Sequence, residues 1–141
     1  MVISKYSCSI DPHSERVYLE TKKLIEMHIK GLHHKIITNT SDVSLLSKYF
    51  YEWNTFQKGL YHLNSLYAYL NSQYIKKLKH TNTDIDFGEI DPSEQLMEIN
   101  ELGAYLWKMH MIIPLKDQLV TLLLNEINRF VIVFCFVYFF I

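Results

Sequence analysis

Within residues 60–79, LYHLNSLYAYLNSQYIKKLK, the residues Leu60, Leu63, Tyr67, Leu70 and Tyr74 recur at steps of three and four. That spacing stacks their side chains along one face of an α-helix and does not fit the alternation of a strand. Lys76, Lys77 and Lys79 fall in the last turns of the run, where cations complement the partial negative charge of a helix C-terminus. Off this stripe lie Tyr69, Ser72 and Gln73, an aromatic ring beside neutral polar groups. A soluble helix ordinarily shows water a charged face. Two readings of the second face stand: tyrosines half-buried against neighbouring helices, or a docking face for a partner.

The helical period continues on both sides of this stretch. Ser14 is a good N-cap for a first helix, whose stripe of Val17, Thr21, Leu24, Ile25, Ile29, Leu32 and Ile36 ends near Ile37. After a loop at residues 38–40, Ser41 or Asp42 caps a second helix with Leu45, Leu46, Tyr49, Phe50, Trp53 and Phe56 inward, and Gly59 separates it from the central one. Residues 80–92, HTNTDIDFGEIDP, are polar and turn-rich and read as a surface loop. Ser93 then caps a fourth helix carrying Leu96, Ile99, Leu102, Leu106 and Met109. Pro114 stops or kinks it and opens a fifth, with Leu115, Leu119, Leu122, Leu123 and Ile127.

Four glycines and three prolines in 141 residues leave little material for the turns of an all-β fold. The expectation is one all-α domain, a bundle of about five amphipathic helices over residues 14–129. Residues 1–13 are a partial helical lead-in, broken at Asp11-Pro12. Residues 130–141, FVIVFCFVYFFI, change abruptly to an uncharged apolar run.

Several chemistries are disfavoured by what is present. A net charge of -1 without a basic stripe argues against nucleic acid. Cys8 and Cys135 stand near opposite ends and read as free thiols of a reducing compartment. The polar N-terminus has no apolar core of a signal peptide. His28, His33 and His34 do not fall three or four apart, as paired zinc ligands on a helix do, so they are expected to be solvated or rim residues. Asp84, Asp86, Glu89 and Asp91 do not follow an EF-hand order. With no nucleophile elbow, phosphate-cradling glycine loop or convergent triad by spacing, neither an enzyme nor a cofactor is expected.

The apolar run has three readings. A membrane span needs about 20 apolar residues, and residues 130–141 supply fewer. Extending it back to Leu119 takes in Asn125, Glu126, Asn128 and Arg129, at roughly 2.5–3.5 kcal/mol per charge at mid-bilayer. Membrane attachment is therefore not the expected role. The others are a buried strand or helix end, and an abnormal terminus on an otherwise ordinary domain, which would be an aggregation hazard if free.

Taken together in order and spacing, the runs SERVYLETKKLIEMHIKGLHHKI, LYAYLNSQYIKK and EQLMEINELGAYLWKMHMIIPLKDQLVTLLLNEI resemble the N-terminal repeat of the cullin family. LNSQYIKK and EQLMEI are most similar to its cullin-2 branch, and the likeness covers residues 6–128. The resemblance implies a helical cullin repeat and a non-catalytic scaffold role in a cullin–RING ubiquitin ligase, in the cytoplasm and nucleus. In that family the first repeat docks a BTB/Skp1-like adaptor through its second and fifth helices. In the cullin-2 branch the adaptor is elongin C, with elongin B and a substrate receptor. Carried over by position, the second-helix contribution is Tyr6, flanked by Val2 and Ile10. The fifth-helix contribution is Tyr69 and Ser72, with Asn71 and Gln73 as neighbours. This chain departs from the pattern ahead of Tyr6, at Lys5, and after Asn128, where the family continues towards the domain that recruits the RING-box protein. The resemblance is thus to a truncated repeat without a RING-box partner. The alternatives are a small helical protein held at a membrane by residues 130–141, or a truncated product without independent function.

Overall fold

The computed structural model describes residues 12–38, 42–82 and 96–139; the expected contributors Val2, Tyr6 and Ile10 and the cap Ser93 lie outside them. Helix α1 is Pro12–Thr38 and α2 is Asp42–Leu66. Helix α3 opens with Ala68–Leu70, passes through a π turn at Asn71–Ile75 and continues as Lys76–Asn82. Helix α4 runs from Ile99–Trp107 through a second π turn, Lys108–Ile112, into Ile113–Phe139. The fold is all-α, as the helical periods predict, with no strand among the described residues.

The boundaries differ from the expected ones for identifiable reasons. Helix α1 starts at Pro12 rather than after Ser14, because a proline in the first turn lacks only an N–H that would be unpaired anyway. Gly59 does not end α2, which continues to Leu66. A Cβ built on Gly59 would meet nothing within 4 Å, and its φ is not positive. This glycine therefore costs helix stability without serving a close approach. Gly59→Ala is expected to raise the stability of the domain by about 0.5–1 kcal/mol, read as a higher urea midpoint at unchanged slope.

The break comes instead at Tyr67, whose φ of -93° and ψ of 15° lie in the bridge region. The central stretch is thus split between α2 and α3, although Leu60, Leu70 and Tyr74 are all buried, as its stripe predicts. Pro114 does not stop α4. The π turn just before it widens the helix, with the Ile113 N–H bonded to Lys108 O, which relieves the ring's clash with the preceding turn. The expected fourth and fifth helices are therefore one. Its N-cap is Glu98, whose backbone N–H donates to Glu101 Oε2 at 3.3 Å, while Leu96–Glu98 is not helical.

Helices α1, α2 and α4 pack against one another. At their centre is Trp107, 0% exposed. Its ring stacks on Phe56 at 4.8 Å and lies 5.0 Å from Trp53, and its Nε1–H donates to Tyr49 Oη at 3.3 Å. Ile29, Ile36, Ile99, Leu102, Met111 and Leu115 are fully buried in the same core. On α1 the buried face is Tyr18, Thr21, Ile25, Ile29 and Ile36, while the expected core residues Val17 and Leu24 face water. Tyr18 takes the inward place because its body packs against Tyr74 while its hydroxyl accepts the Met97 N–H at 3.1 Å. Phe50 is likewise exposed, and Glu52 is buried and ion-paired with Lys35 at 2.7 Å.

Candidate interaction surface

The bend at Tyr67 is held from two sides. Thr21 Oγ1 of α1 donates to Tyr67 Oη at 2.9 Å. Beneath the bend, two side-chain amides serve the first turn of α4. Asn71 Oδ1 accepts the Ile99 N–H at 3.1 Å, and Asn64 Oδ1 accepts both the Asn100 N–H at 3.2 Å and Asn71 Nδ2–H at 2.8 Å. The opening N–H groups of a helix have no partner within it, so residues of α2 and α3 supply acceptors from outside. Asn71 is 6% exposed and fully engaged in this network. Asn71 is expected beside the adaptor-contacting Tyr69 and Ser72, and its amide is bonded to Asn64 and the Ile99 N–H.

Tyr69, Ser72 and Gln73 do lie on the outside. Tyr69 is 76% exposed, and Ser72 Oγ donates to Tyr69 O at 3.1 Å, its hydroxyl satisfied by its own helix. Beside Tyr69 runs a groove of about 310 Å³ between the first turns of α1 (His13, Ser14, Val17) and the α2–α3 corner (Leu66, Tyr67, Leu70). Leu66 is 81% exposed, so the corner presents an apolar aliphatic group and an aromatic ring side by side. Leu66 and Val17 belong to this surface and are absent from the expected site. Leu66 stands three residues before Tyr69, a helical spacing that marks a shared face, whereas Val17 was assigned to the core stripe.

The perturbed titrations belong to ion pairs and burial elsewhere. The Lys79 ammonium, 2.7 Å from Glu101, and the Glu98 N–H hold the Glu101 carboxyl below its ordinary range. Lys30 and His110 do the same for Glu26, Lys30 contributing most. Burial pushes the Tyr18 and Tyr74 phenols up. Such shifts follow from structural networks as well as from chemistry, and these groups do not line the groove. Among the described residues no group of three or more His, Cys, Asp or Glu is placed to hold a metal ion.

An exposed apolar corner beside a shallow groove is a candidate for contact with another protein. By fold this is an all-helical domain. The family model of the cullin alpha solenoid domain matches residues 2–130, and the chain belongs to the cullin family. It is 32% identical to Cullin-2 of Caenorhabditis elegans over 121 residues, which cover 84% of this chain and 15% of that protein. It is 26% identical to Cullin-1 of Dictyostelium discoideum over 114 residues, 81% of this chain and 13% of the relative. The chain therefore spans well under a fifth of the length of these relatives.

Proposed function

We propose that this domain is a non-catalytic scaffold module of a cullin–RING ubiquitin ligase, acting in ubiquitin-dependent protein degradation on the substrate-recruiting side. Its partner is a BTB/Skp1-like adaptor of the elongin C type, carried with elongin B and a substrate receptor. The observation that carries this reading is the exposed Tyr69–Leu66 corner beside the groove at the start of α1, in a chain of cullin descent. A tyrosine offers a large rigid area with a polar tip and loses little conformational freedom on docking, which makes it a common anchor at protein interfaces. Ser72 and Gln73 flank it as polar neighbours. Tyr6 and Ile10, which the resemblance assigns to the same adaptor contact, precede Pro12 by a few residues in the sequence. The cytoplasm and nucleus go with this role.

The test is a quantitative pull-down of the chain with the elongin B–elongin C pair, with a Skp1-type adaptor as the specificity control. Tyr69→Ala is expected to weaken binding by about 1–2 kcal/mol or more and to leave the urea midpoint unchanged, because its ring lies outside the core. Absence of binding by a sample shown folded by circular dichroism would overturn the assignment.

A further inference from the structure

Beyond Leu122 helix α4 leaves the bundle, and no residue from 123 to 137 is buried. The approach is mixed in polarity: Asn125, Glu126, Asn128 and Arg129 interrupt the apolar Leu123, Leu124 and Ile127, and Arg129 pairs with Glu126 at 3.3 Å. From Phe130 to Val137 every residue is apolar and exposed. Successive residues of a helix point about 100° apart, so this run presents apolar groups on all sides and not along a stripe. A partner helix covers one seam, and a helix lying on a membrane surface needs a polar face towards water. What covers a helix on every side is a protein core or the hydrocarbon of a bilayer, and the core formed by the described residues does not bury this segment.

Length points the same way. An 18-residue window within Ile99–Val137 is apolar enough to cross a membrane, and none of it is buried. At 1.5 Å per residue the apolar part of α4, residues 130–139, reaches about 15 Å, about half of a hydrocarbon core of about 30 Å, so it enters the bilayer to about one leaflet's depth. Counting only strictly apolar residues makes the segment look short. The unbroken helix adds the turn that carries the four polar residues, and at the near end of an inserted segment those side chains can lie among headgroups, with arginine snorkelling to water.

We propose that the exposed end of α4, residues 130–137, inserts into the hydrocarbon of a lipid bilayer. Asn125, Glu126, Asn128 and Arg129 then lie at headgroup level, and the helical core stays on the aqueous side. The test is flotation of the full chain with phosphatidylcholine vesicles, followed by alkaline carbonate washing. The chain is expected to float and to resist the wash. Val133→Asp combined with Val137→Asp is expected to cut the vesicle-bound fraction roughly tenfold or more. Both side chains are exposed, so far-UV circular dichroism and elongin binding should be retained, which separates this proposal from the adaptor assignment. Single Val131→Trp and Val133→Trp variants, pointing to opposite sides of the helix, are both expected to be quenched by acyl-chain-brominated lipid, while buried Trp107 and partly buried Trp53 give an unquenched background. Quenching of only one of the two, as for a helix lying flat, would overturn insertion. So would a chain that stays at the bottom of the gradient, as a monomer or bound to copies of itself.

Discussion

Trp107→Ala is expected to destabilise the domain by about 3–5 kcal/mol, seen as a large fall in the urea midpoint and loss of near-UV aromatic ellipticity. The indole is 0% exposed and touches three rings of α2: Phe56 at 4.8 Å, Trp53 at 5.0 Å and Tyr49 at 6.0 Å. Its removal loses the transfer free energy of the largest side chain in the core and leaves a cavity whose walls, set on α2 and α4, can close only in part. It also leaves Tyr49 Oη without the indole donor. Since small domains are stable by only about 5–15 kcal/mol, the variant is expected to be partly unfolded at 37 °C. Trp107→Phe keeps a ring against Phe56 and is expected to cost less. A loss below about 1 kcal/mol for the alanine variant would mean that the α2–α4 contact is not where the core is made.

The second large effect is expected at Asn71. Asn71→Leu fills similar space but removes the acceptor of the buried Ile99 N–H and the donor to Asn64 Oδ1. A buried backbone donor left unpaired costs about 1–3 kcal/mol, and this one opens α4, so fraying of its first turn accompanies the loss. Faster hydrogen exchange at the Ile99 amide, with a lowered urea midpoint, is the expected outcome. Asn64→Ala touches the same network, so the two substitutions are expected to be non-additive in a double-mutant cycle. Unaltered Ile99 exchange in Asn71→Leu would sink the trans-capping account. The contrast with Tyr69→Ala is informative, because residues two apart in sequence divide into one that is buried in a hydrogen-bond network and one that faces outward.

The candidate surface was half legible in the sequence. Tyr69, Ser72 and Gln73 could be placed on an outer face because they fall off the apolar stripe of residues 60–79. Asn71 could not be told from them, since a polar residue beside an outer face looks solvent-facing until a second helix end arrives to need its amide. Val17 was missed for the mirror reason. An apolar residue in a stripe is assigned inward, and only the position of the neighbouring helices shows that it is left exposed.

The sequence by itself determined the class of fold. Apolar residues at steps of three and four, with few glycines and prolines, leave helices as the available way to bury them. The order of its motifs also carried the cullin resemblance. Tertiary structure alone decided where the helices break and what they join. Gly59 and Pro114 are local breaker signals, yet helices run through both. The cost of a glycine is about 1 kcal/mol, and a π turn accommodates the proline, so packing of long apolar faces outweighs each. The chain bends at Tyr67 without glycine or proline, because hydrogen bonds from α1 and to the start of α4 fix that corner. Those partners are dozens of residues away, and no local pattern around Tyr67 encodes them.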